Sequence, residues 1–462
     1  MTFYSQKSKT NVMNQTKKYE QDFTQGPLAK QILFFSIPLM FTNVLQILFN
    51  MADIAVVGRF AGTIALGSVG STATLVSLFT GLLIGVASGV NVVVAHHLGA
   101  KNPTAVKETV HTAAIMSTAI GLLVMTFGLI FTRPILELMN TKPELIDGAT
   151  SYLTIYFCGM PALALFNYGN AVLSAAGDTK RPLKYLTISG VINVILNLFF
   201  VIVCHLDVKG VALASIISQY VSAFLILRVL FTCREPYGLQ FKNLYIRKDK
   251  LVSLLRISIP SGFQNAIFFV ANLFVQVGVN SFSATYVSAN SAAANADGLV
   301  YDVMAAFYTA CGSFIGQNYG AGKKKRILHS YLISLGYSFF IGTAMGLTIW
   351  YFGEAFLSLF TTDAAVVEAG MIRLTIMSFS YGFSAFMDSA IAASRGLGKG
   401  LVPTIIIIMG SCVFRIVWIY TIFAYFGTIT SLYLLYIFSW SITAIAEIIY
   451  FVYVYRKELK NL

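Results

Sequence analysis

The chain has 462 residues, of which 57% are hydrophobic and only 11% charged, with a formal net charge of +13. Soluble globular proteins carry about 25% charged residues. The composition therefore excludes a soluble enzyme or a soluble nucleic-acid-binding domain and points to a polytopic membrane protein. The five cysteines, Cys158, Cys204, Cys233, Cys311 and Cys412, are scattered, with no CxxC pair and no nearby His cluster. That spacing fits small apolar fillers and not a disulfide framework or a zinc site.

Taken in chain order, the first 30 residues are polar and hold Lys7, Lys9, Lys17 and Lys18. No apolar core with a small-residue cleavage site follows, so residues 1–30 read as a flexible cytoplasmic tail and not as a cleaved signal. Apolar runs then recur to the C-terminus, each near the roughly 20 residues that a membrane span needs. They predict twelve helices. Helices α1 to α6 are expected at 31–57, 71–97, 108–131, 150–173, 184–204 and 209–232. Helices α7 to α12 are expected at 252–281, 285–318, 328–351, 368–394, 401–425 and 430–454. Residues 233–251, with their charges and Pro236-Tyr237-Gly238, read as a cytoplasmic linker. Residues 457–462 read as a short C-terminal tail.

Charge follows topology. If the N-terminus is cytoplasmic, the inside segments collect Lys101, Lys107, Lys180, Arg181, Lys184 and the run from Arg228 to Arg256. They also hold Lys323 to Arg326, Arg395, Lys399, Arg456, Lys457 and Lys460, whereas the outside keeps only Arg59, Arg133, Lys142, Lys209 and Arg373. The bias puts both termini inside. It explains the basic excess with no nucleic-acid partner.

The chain repeats itself. SIPLMFTNVLQILFNMADIAVVGRFA from Ser36 is echoed by SIPSGFQNAIFFVANLFVQVGVNSFS from Ser258, at an offset of 222. The matches Ser36/Ser258, Pro38/Pro260, Asn43/Asn265 and Asn50/Asn272 are polar or special residues in an apolar background. HHLGAKN from His96 is echoed by QNYGAGK from Gln317, and AAGDTK from Ala175 by SRGLGK from Ser394. The offset spans six helices, an even number. The expected fold is therefore an all-α integral membrane protein of two six-helix lobes, 31–232 and 252–456, related by a pseudo-two-fold axis along the membrane normal.

Ionisable residues inside spans mark candidate function. Asp53 lies on α1, about 22 Å along the helix from Pro38. An acid in a span costs about 2.5–3.5 kcal/mol on insertion scales, so it faces a cavity or a partner. Two readings stand for Asp53: a group that exchanges a proton for Na⁺ or a cationic substrate, or an interfacial acid that snorkels. Asn193 and Asn197 on α5 are four apart and share a face, where they line a cation site or bond between helices. Asp297 and Asp302 on α8, Asp388 on α10 and Arg415 on α11 are further charges within spans. Arg415 is expected to pair with one of those acids, Glu447 on α12 to lie at the interface, and Pro38 to kink α1 either statically or as a hinge. The 14 Met, 37 Phe and 24 Tyr suit an adaptable aromatic cavity.

GQNYGAGKKKRI (Gly316–Ile327), LGAKN (Leu98–Asn102), SRGLGKGLVP (Ser394–Pro403), DIAVVGRFAG (Asp53–Gly62) and AAGDTKRP (Ala175–Pro182) together resemble the multidrug and toxic compound extrusion (MATE) family. The resemblance covers residues 31–456. It implies two six-helix lobes that rock to expose a central cavity to either side, exporting drug-like small molecules against entry of H⁺ or Na⁺. It further implies that Asp53, the Asn193/Asn197 pair, Ser215 on α6 and the bend at Pro38 serve coupling. It gives Asp388 a cation-binding role that some members complete with a Glu on α7, a helix that has no acid here. The family often has Asp where Asn197 stands, so the site carries one carboxylate fewer, which favours H⁺ over Na⁺. The expected protein is a monomeric antiporter of the bacterial plasma membrane that needs no cofactor and no metal beyond Na⁺. The rivals are a lipid-linked oligosaccharide flippase, which calls for a more cationic cavity, and an integral membrane enzyme. Neither a Walker motif, nor HExxH, nor a Ser/His/Asp grouping is present to support an enzyme or an ATP-driven pump.

Overall fold

The computed structural model describes residues 22–461, and among these the regular structure is entirely helical. The long helices are α1 Leu28–Phe60, α2 Gly62–Gly99, α3 Pro103–Leu138, α5 Lys180–Val203, α6 Asp207–Thr232 and α7 Lys248–Asn280. The second series is α8 Ala284–Gly320, α9 Lys324–Tyr351, α10 Ala364–Gly396, α11 Leu401–Phe426 and α12 Ile429–Asn461. All but α10 are long and apolar enough to cross a membrane, and α4 joins them as a bent pair, Pro143–Phe157 and Met160–Ala175. Helix α10 has the length, 33 residues, but carries Glu368, Arg373, Asp388 and Arg395. The 33 residues of α1 extend about 50 Å, beyond the roughly 30 Å hydrocarbon core.

Three local features depart from the expected helices. Helices α1 and α2 run on toward each other until only Ala61 separates them. The expected helices stop at 57 and restart at 71, yet spanning helices tolerate the glycines between, and of these only Gly62 takes a left-handed conformation, φ 87°. Helix α4 is not one rod but bends by 46° at Cys158–Gly159. Pro161 cannot donate back into the preceding turn. A Cβ at Gly159 would stand 2.3 Å from Gln219 Oε1 of α6, so the bend brings backbone against side chain. Helices α5 and α11 contain wide π turns, Phe199–Val203 in the first and Ile408–Val413 and Ile419–Phe423 in the second.

The chain forms two compact units. Among the described residues, the first holds 22–27, Leu45–Leu255 and Gly316–Lys323; the second holds Leu28–Val44, Arg256–Ile315 and 324–461. The chain thus changes unit within α1 and again near the end of α8. In the second unit the early part of α1 is anchored by Asn43, whose Nδ2 donates to the Asp302 carbonyl at 2.8 Å, and by Phe35, edge-on to Phe314. α1 continues unbroken through Pro38, where the Thr42 hydroxyl caps the Pro38 carbonyl at 2.8 Å. The first unit's core includes Val57, Leu83, Val124, Leu153 and Phe157. The second unit's core includes Val275, Val279, Met304, Leu374 and Trp418.

The repeated Gly-Ala motifs meet each other inside the first unit. A Cβ on Gly99 would lie 1.9 Å from the Gln317 carbonyl oxygen, and one on Gly320 would lie 2.0 Å from the His96 carbonyl oxygen. Helices in lipid gain little from hydrophobic exclusion and associate through close backbone packing, which glycine permits.

Residues 1–21 of the expected tail lie outside the described residues, but 22–27 are pinned. Phe23 is wholly buried. Its N–H donates to Gln317 Oε1 at 3.1 Å, its carbonyl accepts from Asn318 Nδ2 at 3.2 Å, and Lys323 Nζ donates to the Thr24 carbonyl at 2.6 Å. Gln317 Nε2 in turn donates to the Ala175 carbonyl at the end of α4, at 2.7 Å. In the AAGDTKRP stretch, buried Asp178 accepts from the backbone N–H groups of Lys180 and Arg181 at 3.2 and 3.1 Å and pairs with the Arg181 side chain, closing the first turn of α5.

Candidate functional site

Three helices of the first unit bring together the residues singled out around α1. Asp53 is 8% exposed, Asn193 5%, Asn197 0% and Ser215 6%. Asn197 Nδ2 donates to Asp53 Oδ1, and the Ser215 hydroxyl donates to Asp53 Oδ2 at 3.0 Å. The same Asn197 amide reaches Asn193 Oδ1 at 3.3 Å, as the i, i+4 spacing on α5 requires. Asn197 Oδ1 is buried without a hydrogen-bond partner. Tyr152 and Tyr156 of α4, their rings stacked 5.8 Å apart, lie within electrostatic reach of Asp53, and Val56, Val57, Val201, Val208 and Ala212 belong to the same apolar core as those two rings.

No basic side chain pairs with Asp53 among the described residues. A carboxylate removed from water without a counter-charge is costly, and two neutral donors offset only part of that cost. Such a group is stable when it takes up a proton or a small cation. The oxygens of Asp53, Asn193, Asn197 and Ser215 provide acceptors for either. The interfacial reading of Asp53 does not match its burial.

In the second unit the charges are arranged differently. Arg373 of α10, 4% exposed, pairs with Asp297 of α8, and Tyr381 donates to the other Asp297 oxygen at 2.6 Å. Arg373 also donates to Asn290 Oδ1 at 2.5 Å and lies over the ring of Tyr433, 5.2 Å from its centroid. Asp297 is thus committed to a structural pair. Arg415 does not pair with an acid as expected. It is 1% exposed, donates to Asn272 Oδ1 at 2.9 Å, and lies over the Tyr436 ring at 4.6 Å. An amide oxygen and an aromatic face satisfy it in place of a carboxylate.

Asp302 offers its backbone carbonyl to Asn43, and its side chain belongs to neither the Asp53 nor the Asp297 group. Asp388 is 8% exposed with Oδ2 lacking a hydrogen-bond partner. Glu447 is fully buried within the protein. Sequence reasoning missed Arg373, which was counted as an outside charge although it falls within the expected span 368–394. An Arg at that depth signals a buried partner. Among the described residues no group of three or more His, Cys, Asp or Glu side chains is placed to hold a metal ion.

Comparison with known proteins fits this geometry. The family model MatE matches residues 38–199 and again 260–421, two matches offset by the spacing of the repeat. The chain is 27% identical over 376 residues to the probable multidrug resistance protein YpnP of Bacillus subtilis, covering 78% of this chain and 81% of that one. It is 23% identical over 452 residues to the multidrug export protein MepA of Staphylococcus aureus, covering 95% and 96%. Its fold matches a multidrug resistance MATE family transporter solved in an outward-facing conformation, with a TM-score of 0.88, 22% identity, and coverage of 95% of this chain and 98% of that one.

Proposed function

The chain belongs to the MatE family of membrane transporters, and from that premise we propose that it exports amphipathic, often cationic, small molecules in exchange for H⁺ carried by Asp53. The observation that carries this reading is the burial of Asp53 with donors on both oxygens and no basic partner. In the ionised state Asn197 and Ser215 donate to the carboxylate. In the protonated state a rotation of the Asn197 amide presents Oδ1 as an acceptor for the Asp53 O–H. The site therefore accommodates both protonation states with the same four residues, which is what a carrier of one proton requires. Asp53, Asn193, Asn197 and Ser215 also provide oxygens for Na⁺, but a single carboxylate makes Na⁺ the weaker fit. Asp302 and Asp388 are further acids available to a cationic substrate.

The proposal includes the setting. The distribution of Lys and Arg supports cytoplasmic termini, and the bacterial relatives support a bacterial plasma membrane. Two six-helix lobes, 31–232 and 252–456, would alternate access as a monomer, with Pro38 as the flexible point of α1. The deciding experiment is ethidium efflux from proteoliposomes with an H⁺ or an Na⁺ gradient imposed one at a time. Efflux driven by the H⁺ gradient is expected. Efflux driven by Na⁺ alone rejects proton coupling, and efflux indifferent to both rejects antiport.

A further inference from the structure

A second group of ionisable side chains lies in the second unit, remote in sequence from Asp53. Glu447 of α12 is fully buried, and among the described residues neither carboxyl oxygen has a hydrogen-bond partner. Ala444, one turn before it, shares an apolar cluster with Met387 and Ile391 of α10, the first adjacent to Asp388 and the second one turn beyond it. Two turns beyond Asp388, Arg395 donates to Gln264 Oε1 of α7, while its Nε has no acceptor. Arg395 and Asp388 are the charged neighbours of Glu447. Tyr301 and Tyr308 face the cluster from α8, Tyr450 adjoins Glu447 on its own helix, and α7 contributes the neutral Gln264.

The charges do not balance if every group is ionised. Two carboxylates face one guanidinium, the tyrosines are neutral, and the excess is one negative charge in an apolar setting. One monovalent cation restores neutrality. A metal ion needs several further oxygen ligands, and among the described residues no group of three or more His, Cys, Asp or Glu side chains is placed to supply them. A proton needs none. Asp388 retains a little exposure, whereas Glu447 has neither solvent nor a donor to stabilise an anion. We propose that Glu447 is a proton-binding residue, holding the one proton that neutralises the Asp388–Arg395–Glu447 cluster. This does not rest on the role proposed for Asp53, which lies in the other unit.

The test is infrared difference spectroscopy in the carbonyl-stretch region on the purified full-length protein at neutral pH, in H₂O and D₂O. Glu447→Gln should remove one deuterium-sensitive band of a protonated carboxylic acid that Asp388→Asn retains. An unchanged band in Glu447→Gln, or loss of the band in Asp388→Asn alone, overturns the assignment. Because Gln reproduces the shape and neutrality of a protonated Glu, Glu447→Gln should keep the wild-type melting temperature. A variant that melts far lower or fails to fold also overturns it, since Arg395 would then require an ionised Glu447. The spectrum reads the proton whether or not transport is proton-driven, so failure of antiport by Asp53 leaves this result interpretable.

Discussion

The two units hold the same helical slots with opposite chemistry. At the offset of 222, Asp53 corresponds to Val275, Asn193 to Arg415 and Asn197 to Ile419. Val275 is 2% exposed within an apolar core, and Arg415 is held by Asn272, the counterpart of Asn50. One unit buries an anion that lacks a cation; the other buries a cation satisfied without an anion. Duplication thus kept the helices and left the charge at each slot open to change. A buried charge that the protein satisfies itself is fixed structure, as with Arg415 and with the Arg373–Asp297 pair. One left without a counter-charge, as at Asp53, is where we propose that a mobile ion acts.

The contrast can be broken most severely at Asp53. Asp53→Asn is expected to lower gradient-driven ethidium efflux to the level of protein-free liposomes while leaving the melting temperature intact; efflux at the wild-type rate would sink the coupling role. Next in size is Arg373→Ala, which strands Asp297 and should cost about 3–5 kcal/mol of stability. Thermal melts in detergent check this, and adding Asp297→Asn should recover part of the loss. Gly320→Ala pushes a Cβ into the His96 carbonyl, and overpacking of this kind costs about 1–3 kcal/mol, read in the same melts. Ser215→Ala should be mildest. It removes one of the two hydrogen bonds to Asp53, a contribution of about 1 kcal/mol, and so should slow efflux several-fold with a small fall in melting temperature.

The membrane class, the helical fold, the repeat and the family were legible because each rests on patterns that survive averaging: long apolar runs, polar matches at a fixed offset, and glycine motifs. The Asp53 group was legible for a narrower reason. Asn193 and Asn197 stand at a helical spacing, and the family resemblance named their neighbours. Partners across helices were not. Nothing in the spacing of Arg415 says that Asn272 and Tyr436 satisfy it, because those contacts depend on which faces of α7, α11 and α12 meet. Residues 22–27 read as a loose tail for the same reason. Their composition is polar, but Phe23 is held by Gln317 and Asn318, nearly three hundred positions away. Counting along α12 likewise does not tell that Glu447 is covered by protein, because that depends on the helices packed beside it.

The crossing of Gly99 and Gly320 bears on how the two copies of the motif have aged. Each glycine lies against the backbone of the other copy, so a side chain gained by either collides with a carbonyl that cannot retreat without moving a helix. Neither copy can drift alone at this point. The positions of Asp53 and Val275 had no such mutual restraint and diverged into an acid and a hydrocarbon. The shared glycine is therefore held where the duplicates touch, and a duplicated chain of this kind keeps its own record of which segments still hold each other in place.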